Sequence, residues 1–414
     1  MKNIIYPNYN CCILNTIATV MKYYGLPCEY KVLPELEAAL AKKYKTIVLM
    51  VFDGMGIDAL EKNLKPTDFL NQHIKSELTS VVPSTTTAAM TAYYAGKSPL
   101  EHGWLGWSLY FKEYGRYIDT FINTDSHTGE KLELPHAGHE LMPYAHILDQ
   151  IEQVTHHQTK AYMVEPAYID YKGKNQKIGV EDAKGFFEEV EKLCQTNEEK
   201  FIFAYWTDPD KTMHGTGCYS EETKQKLQEI NDLLASLSKT LEDTLIIVSA
   251  DHGLIDVENK TYLNEYPQLT DCFLMPPFIE GRLMSFFIRE DLRDTFKQRF
   301  NELFSDDFIL LTRQEALQKQ LFGPGEPHKK TLDFIGDYIV QIEYFYFFQK
   351  QSIYNNSRLE LLSNQSNLIL LVCNKYLFRI SYTTFSENFP QQYTLKNLIN
   401  ILHISSINPI IKYL

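Results

Sequence analysis

The chain has 414 residues, 44% of them hydrophobic, and a formal net charge of −13. This length and hydrophobic content suffice for one large α/β domain with insertions, or for two or three smaller domains. The acidic balance argues against binding nucleic acid or an anionic membrane through bulk electrostatics, and the absence of a run of about 18 apolar residues argues against a membrane span. Seven scattered cysteines without a C-x-x-C motif, and an N-terminus without a signal-peptide pattern, lead us to expect a cytoplasmic location.

Helix and strand patterns alternate along the first part of the chain. Apolar residues recurring at helical spacing predict helices over residues 13–24 and 34–43. Thr46–Phe52 is a continuous run of β-branched and apolar residues, which is typical of a strand buried on both faces. The small residues of Thr86–Ala95 predict a helix that ends at the following glycine. Residues 101–150 are rich in aromatic residues and turn formers, so we interpret them as an inserted segment of loops and strands.

The same alternation continues to about residue 340. It predicts an α/β fold, with a mostly parallel central sheet and helices on both of its faces. We expect two inserted segments, at about 101–150 and 265–325, to cap the sheet and shape a pocket. The further predicted elements are, in chain order, a helix over 143–155, a strand over 161–165, a helix over 181–197, a strand over 201–206, a helix over 220–241, a strand over 245–249, strands over 283–288 and 308–311, and a helix over 313–321.

Acidic and imidazole side chains follow two of the predicted buried strands. Asp53 comes directly after Thr46–Phe52, and Asp251 and His252 come after the strand over 245–249. In open α/β sheets, ligands bind at the carboxyl ends of the strands, where these groups are well placed to hold a cation. Each segment taken alone also fits a plain turn, with Asp53 as a turn residue and His252 on the surface.

Two further segments add a second pair of ligands and a hydroxyl group. Asp210 and His214 lie four residues apart, so one helical turn places both on one face, where they form either a metal site or an ion pair. Thr85, Thr86 and Thr87 open a predicted helix, where backbone N–H groups and the helix dipole favour negative charge. Helix capping explains one such threonine, but not three. Together, the four segments supply the groups of a two-metal phosphoryl-transfer site.

The order of these motifs resembles the alkaline phosphatase superfamily, and within it the type I phosphodiesterase/nucleotide pyrophosphatase family. The motifs are Asp-Gly, Pro-x-Thr-Thr, Gly-x-x-Pro-x-x-His-Gly at Gly96 to Gly103, Pro-Asp-x-x-x-His and Asp-His-Gly, within residues 44–340. The resemblance implies that Thr86 is the nucleophile, with Thr85 as the second choice. It also implies two metal sites, the first formed by Asp53, Thr86, Asp251 and His252, and the second by Asp210 and His214.

The resemblance also implies an activity and a cofactor. We expect hydrolysis of a small phosphate ester or diester through a phospho-threonine intermediate, with two divalent ions. Aspartate and histidine ligands without cysteine favour Zn²⁺, with Mn²⁺ compatible. Trp104, Trp107 and Tyr110 either stack a ring-bearing leaving group or belong to the core. A phosphomutase shares such a site and is an alternative activity; the sequence leaves the oligomeric state open.

The chain departs from the family pattern at two places. Ala89 stands three residues after Thr86, where nucleotide pyrophosphatases carry an asparagine that donates to the phosphoryl oxygen, which argues against that specific activity. The family's third ligand to the second metal is a histidine in a His-Gly-rich turn near the C-terminus, and this chain has no such turn. His328 is the best substitute and His403 a weaker one. An incomplete second site would make the protein a catalytically impaired pseudoenzyme.

The composition changes after residue 340, where the family-like pattern also stops. No glycine occurs in residues 341–414, and Asn, Gln, Ser, Tyr, Ile and Leu dominate. We therefore divide the chain into an alkaline-phosphatase-like catalytic domain at 1–340 and an atypical tail at 341–414. Our hypothesis is that the tail is aberrant, for example through a frameshift near residue 340.

Overall fold

A computed structural model describes residues 6–169, 173–256, 261–306, 308–342 and 367–373. Its strands form two sheets of seven strands each. The strands are β1 (Thr46–Phe52), β2 (Ile74–Leu78), β3 (Ser108–Phe111), β4 (Arg116–Asp119), β5 (Thr124–Asp125), β6 (Lys160–Pro166), β7 (Gln176–Val180), β8 (Lys200–Trp206), β9 (Thr244–Ala250), β10 (Phe278–Glu280), β11 (Leu283–Phe286), β12 (Phe308–Thr312), β13 (Tyr338–Ile342) and β14 (Asn367–Cys373).

The helices of the described residues occur mostly between strands of the first sheet. They are α1 (Ile13–Tyr23), α2 (Pro34–Leu40), α3 (Ile57–Asn63), α4 (Phe69–His73), α5 (Thr86–Ala95), α6 (Pro99–His102), α7 (Ala137–Leu141), α8 (Ile147–Val154), α9 (Ala183–Cys194), α10 (Asp210–Thr216), α11 (Glu221–Thr240), α12 (Pro267–Thr270), α13 (Arg293–Phe304), α14 (Arg313–Gln318) and α15 (Thr331–Phe334). None of these helices combines the length and the apolar character that membrane spanning requires.

The central sheet has the strand order β2-β14-β9-β1-β8-β6-β7, and its neighbouring strands pair in parallel. All residues of β1, β8 and β9 are buried, because helices cover both faces of the sheet, as the continuous apolar runs predict. Phe52 at the end of β1 is in register with Trp206 of β8 and Ala250 of β9. The residues that follow these three strands therefore emerge side by side at one edge.

The second sheet, which we name the cap sheet, has the order β12-β13-β11-β10-β3-β4-β5 and antiparallel pairing. Its strands come from residues 101–150, from residues 265–325 and from β13. The two segments that the sequence marks as insertions thus pair with each other, through the single register pair Ile279 and Ser108. Buried apolar side chains such as Leu109, Phe111 and Phe334 form the core of this lobe.

Element boundaries follow local capping chemistry. The helix predicted over 220–241 spans Glu221–Thr240, and the Ser220 side chain accepts a hydrogen bond from the Thr223 backbone N–H at its start. The helix predicted over 143–155 is shorter, at Ile147–Val154, because the His146 side chain caps it by accepting from the Leu148 N–H. Within the tail, the structure describes residues 341–342 at the end of β13 and strand β14. Residues 343–366 and 374–414, with His403 and most of the tail of the frameshift hypothesis, lie outside the described residues.

Candidate metal centre and nucleophile

The ends of β1 and β9 bring Asp53 and Asp251 together. The backbone N–H groups of Gly54 and His252 both donate to Oδ1 of Asp251, at 3.0 and 2.8 Å. Gly54 has a φ of +69°, and a Cβ at this position would lie 2.8 Å from Cβ of Asp210. The glycine of the Asp-Gly motif is therefore required, because a side chain at this position would be strained and would clash with Asp210.

Asp53, Asp251 and His252 form a buried group of ligand atoms that lie within 4.8 Å of one another. Nε2 of His252 lies 3.3 Å from Oδ1 of Asp53 and 3.5 Å from Oδ2 of Asp251. Nδ1 of His252 lies 3.1 Å from the carbonyl oxygen of Gly253. A carbonyl only accepts, so Nδ1 carries a proton, and in the neutral imidazole the lone pair of Nε2 faces the two carboxylates. Such converging electron pairs fit a bound cation, and these residues are a candidate metal site.

The electrostatics of the site also favour a cation. Burial raises the pKa of Asp53 well above its usual range, and the neighbouring Asp251 and Asp210 carboxylates raise it further. Burial likewise raises the pKa of Asp251 to about 7, although the N–H groups of Gly54 and His252 oppose the shift. A divalent ion would offset both the burial of these carboxylates and their mutual repulsion.

Thr86 lies at the first position of α5 and faces this group. Its Oγ1 lies 3.2 Å and 3.3 Å from the two carboxylate oxygens of Asp53, and 3.3 Å from Nε2 of His252. The first intrahelical hydrogen bond of α5 joins the Ala89 N–H to the Thr85 carbonyl at 2.9 Å. The N–H groups before Ala89 are therefore those that a helix start leaves without an intrahelical partner, which suits an anion.

Asp210 and His214 pair with each other beside the first group. Nε2 of His214 lies 3.3 Å from Oδ2 of Asp210, and the charge of Asp210 raises the pKa of both Asp53 and Asp251. Oδ1 of Asp210 is buried without a hydrogen-bond partner among the described residues, although buried carboxylate oxygens normally have one. The predicted second pair of ligands thus adjoins the first, with an oxygen available to a cation.

The structure places His328 beside Gly103 and Lys330. His328 packs against Gly103, where an added Cβ would lie 3.0 Å from its Nδ1. The same Nδ1 accepts a hydrogen bond from the Lys330 backbone N–H at 3.2 Å. These contacts give His328 a local structural role, and its assignment as a third ligand stays a prediction.

Trp104, Trp107 and Tyr110, which the sequence suggested for either stacking or the core, lie in different environments. Trp104 is 2% exposed, and its Nε1 donates to the Met142 carbonyl at 2.9 Å, so Trp104 belongs to the core of the cap lobe. Trp107, just before β3, and Tyr110, in β3, are half-buried, and stacking on a leaving group stays a prediction for them. Ala89 is fully buried inside α5 and offers no side-chain donor.

Sequence reasoning missed two residues of the site. The buried Tyr205 hydroxyl, on β8 in register with Val51, donates to Oδ2 of Asp53. The buried carboxylate of Glu280, from the cap sheet, accepts from the Trp107 backbone N–H at 2.6 Å and lies close enough to His252 for the imidazole to lower its pKa. Polar groups inside apolar strands were the available signal, because buried tyrosine hydroxyls and carboxylates need partners.

The parallel sheet, with acids, imidazoles and a helix-start threonine at one edge, has the α/β architecture of alkaline-phosphatase-like structures. The chain belongs to the type I phosphodiesterase/nucleotide pyrophosphatase family, whose model matches residues 47–321. The fold class and the family predicted from the sequence are thus confirmed.

Solved structures with a similar fold are distant in sequence. Murine ectonucleotide pyrophosphatase/phosphodiesterase 5 is 14% identical with a TM-score of 0.50, over 80% of this chain and 82% of that chain. Its inactive variant in complex with AMP is 14% identical with a TM-score of 0.51, over 79% of this chain and 80% of that chain. Phosphonoacetate hydrolase from Sinorhizobium meliloti 1021, in complex with phosphonoformate, is 14% identical with a TM-score of 0.49, over 80% of this chain and 84% of that chain. No curated protein matches the sequence significantly.

Proposed function

We propose that this protein is a metal-dependent phosphoric ester hydrolase that acts on a small phosphate ester or diester through a phospho-threonine intermediate. The observation that carries the proposal is the position of Oγ1 of Thr86, 3.2 to 3.3 Å from both carboxylate oxygens of Asp53 and from Nε2 of His252. A hydroxyl within reach of proton acceptors and candidate metal ligands has the arrangement of an activated nucleophile.

The residues present fit two divalent ions, which we propose to be Zn²⁺, with Mn²⁺ compatible. We assign Asp53, Thr86, Asp251 and His252 to the first ion, and Asp210 and His214 to the second. Bound divalent ions lower the pKa of a coordinated hydroxyl or water and neutralise the charge of the phosphoryl group. Membership of the type I phosphodiesterase family and the phosphate-ester chemistry of that family support this assignment.

The chain's own groups then perform a two-step displacement. Oγ1 of Thr86 loses its proton toward Asp53 and attacks phosphorus, so that the Oγ1–P bond forms and the bond to the leaving oxygen breaks. The leaving group takes up a proton, and water then cleaves the Oγ1–P bond to release phosphate, or a phosphate monoester from a diester, and to regenerate the threonine. The N–H groups of residues 86–88, which precede the first intrahelical bond of α5, would donate to the equatorial oxygens, where donors stabilise the developing charge.

A second candidate is a pseudoenzyme that holds metal weakly. The contacts of His328 with Gly103 and Lys330 are the observation that favours it. Without a third ligand from the chain, the second ion would depend on water or substrate for its remaining coordination. The two candidates therefore differ in metal stoichiometry as well as in turnover.

Metal content and turnover, measured on the same preparation, test the proposal. The protein is loaded with Zn²⁺ or Mn²⁺, desalted, and assayed with bis-p-nitrophenyl phosphate and with a panel of monoesters and diesters. We expect two equivalents of metal and turnover, and we expect Thr86→Ala to keep the metal of the second site and the fold while losing turnover. One loosely held ion and no turnover, in protein whose circular dichroism shows it to be folded, would support the pseudoenzyme instead.

A further inference from the structure

Cys218 is a buried residue whose backbone is bound from two sides. It is fully buried and lies two residues after the end of α10, the helix that holds Asp210 and His214. Its backbone N–H donates to Oδ1 of Asp256 at 2.9 Å, and its carbonyl accepts from Nδ2 of Asn63 at 3.0 Å. Side chains from two other segments thus hold both backbone polar groups of Cys218.

These two side chains belong to the segments that also supply proposed ligands of the first metal site. Asn63 is the last residue of α3, the helix that follows Asp53 and β1. Asp256 comes four residues after His252, in the segment that follows β9. Cys218 itself continues the segment that follows β8 through α10. The three segments that carry the proposed ligands therefore meet at one buried residue.

The chain turns at Gly217, which directs the next N–H toward Asp256. Gly217 has a φ of +102° and a ψ of 156°, a combination that is essentially restricted to glycine. An added Cβ would lie 3.4 Å from Oδ1 of Asp256, which is an ordinary contact, so the backbone conformation and not the space requires glycine. The Gly217 carbonyl accepts from Oγ1 of Thr223 at 2.7 Å. This bond ties the turn to the start of α11.

Helix α10 depends on such external contacts for its position. It has seven residues, and isolated helices shorter than about 12–15 residues are marginal in water. Its start is held by the Asp210 backbone N–H, which donates to the Asp53 carbonyl. Its end continues into Cys218, which Asp256 holds. Because His214 lies in the last turn of α10, the contact at Cys218 bears on the position of the His214 imidazole.

We propose that Asp256 and Asn63 are positioning residues, which act through the buried backbone that both of them bind to place His214 relative to the first proposed metal site. This inference rests on the proposed function, because it concerns the arrangement of the second pair of ligands. Groups that orient metal ligands typically change metal affinity about 10–100-fold when they are removed. The Asp251 carboxylate is held by two other backbone N–H groups, so the first site should depend less on these contacts.

Stepwise zinc binding to metal-free variants, measured by isothermal titration calorimetry, tests this role. We expect Asp256→Ala to weaken binding of the second equivalent about tenfold and to leave the first nearly unchanged. Asp256→Asn keeps an acceptor for the Cys218 N–H but removes the charge, so it should recover most of the loss. Asn63→Ala removes the donor to the Cys218 carbonyl and should also weaken the second equivalent. Circular dichroism checks that each variant is folded, and Asn63→Ala decides if Asp256→Ala is not.

Asp182→Ala is the matched control for the loss of one carboxylate bond. The Asp182 side chain likewise accepts from a backbone N–H, that of Gly185, at 2.7 Å, and its helix α9 carries no proposed ligand. This variant should bind both equivalents as the wild type does. An unchanged second equivalent in Asp256→Ala would overturn the proposal. An equal loss in Asp256→Asn would also overturn it, because the charge of Asp256 and not its hydrogen bond would then be responsible.

A wild-type protein that binds fewer than two ions would refute the second metal site of the proposed function, and the metal-free protein would then decide the inference. The imidazole ¹⁵N signals of histidine-labelled protein report the surroundings of His214, and His214→Gln assigns them. We expect these signals to shift in Asp256→Ala but to keep their positions in Asp256→Asn and in Asp182→Ala. Unshifted signals in Asp256→Ala would overturn the inference, because α10 would then keep its place without this bond.

Discussion

The backbone N–H of Asp210 donates to the backbone carbonyl of Asp53 at 3.0 Å. This bond joins the segment after β8 to the segment after β1, so the residues assigned to the two metal sites lie next to each other. Their charges are coupled as a result, and Asp210 raises the pKa of both Asp53 and Asp251. The affinity of either site for its metal ion should therefore depend on whether the other site is occupied.

Replacing Asp210 should test its assignment to the second metal site. We expect Asp210→Asn to lose the second equivalent of zinc while the first remains bound, because Asp53, Asp251 and His252 are unchanged. The measurement is elemental analysis after dialysis, with Asp182→Asn as the control. Asp182 caps α9 by accepting from the Gly185 N–H at 2.7 Å, and asparagine keeps that acceptor. Retention of both equivalents in Asp210→Asn would remove Asp210 from the metal site.

Gly54 should tolerate no side chain. A Cβ there adds a left-handed φ penalty and a contact of 2.8 Å with Cβ of Asp210. We expect Gly54→Ala to lower the free energy of unfolding by about 1–3 kcal/mol and to weaken zinc binding by displacing Asp210. Gly115→Ala is the matched control, since Gly115 has a φ of +60° but nothing within 4 Å of an added Cβ. Equal losses in urea unfolding would show that conformation alone, without the close approach, sets the cost.

Tyr205 should tune the first metal site without binding the ion. Its hydroxyl donates to Asp53, and groups that orient metal ligands in this way typically change affinity about 10–100-fold when removed. We expect Tyr205→Phe to lower zinc affinity about tenfold, measured by competition with a chromophoric chelator. Tyr93→Phe is the control, because the buried Tyr93 hydroxyl bonds the Ser249 side chain at 2.8 Å. An affinity loss of the same size in both variants would mean that packing, and not the bond to Asp53, is responsible.

The sequence predicted the parts of the site that depend on local patterns. Buried parallel strands appear as continuous apolar runs, and parallel pairing brings their ends to one edge, so Asp53, Asp251 and His252 were placed correctly relative to the sheet. Tyr205 was missed because its bond to Asp53 depends on the register of β8 against β1. Glu280 was missed because its approach to His252 depends on how the two sheets pack. No period in the chain records either relationship. The local contacts of His328 were missed for the same reason, since motif order says nothing about which loop approaches Gly103.

The His-Gly landmark of the sequence has a structural explanation that leads to a test. Nε2 of the buried His102 lies 3.2 Å from the Ala88 carbonyl, and Nδ1 accepts from the Trp104 N–H at 3.0 Å. A ring nitrogen that accepts a hydrogen bond from a backbone N–H is unprotonated, so the fold requires the neutral imidazole of His102. Burial accordingly lowers the pKa of His102 to about 3, with only the Ala88 bond opposing the shift to a notable extent.

This requirement should make the protein less stable in mild acid. Above a pH of about 6.5, His102 is neutral in the folded and unfolded states and contributes no pH dependence. As the pH falls from 6.5 toward 3, the unfolded chain binds a proton that the folded chain excludes, so the free energy of unfolding falls by about 1.4 kcal/mol per pH unit. We expect His102→Gln to be less stable at neutral pH but to show a slope smaller by about one proton between about pH 6 and 5, measured by urea unfolding. His157→Gln, at an exposed histidine, serves as the control, and an unchanged slope in His102→Gln would show that other groups cause the acid sensitivity.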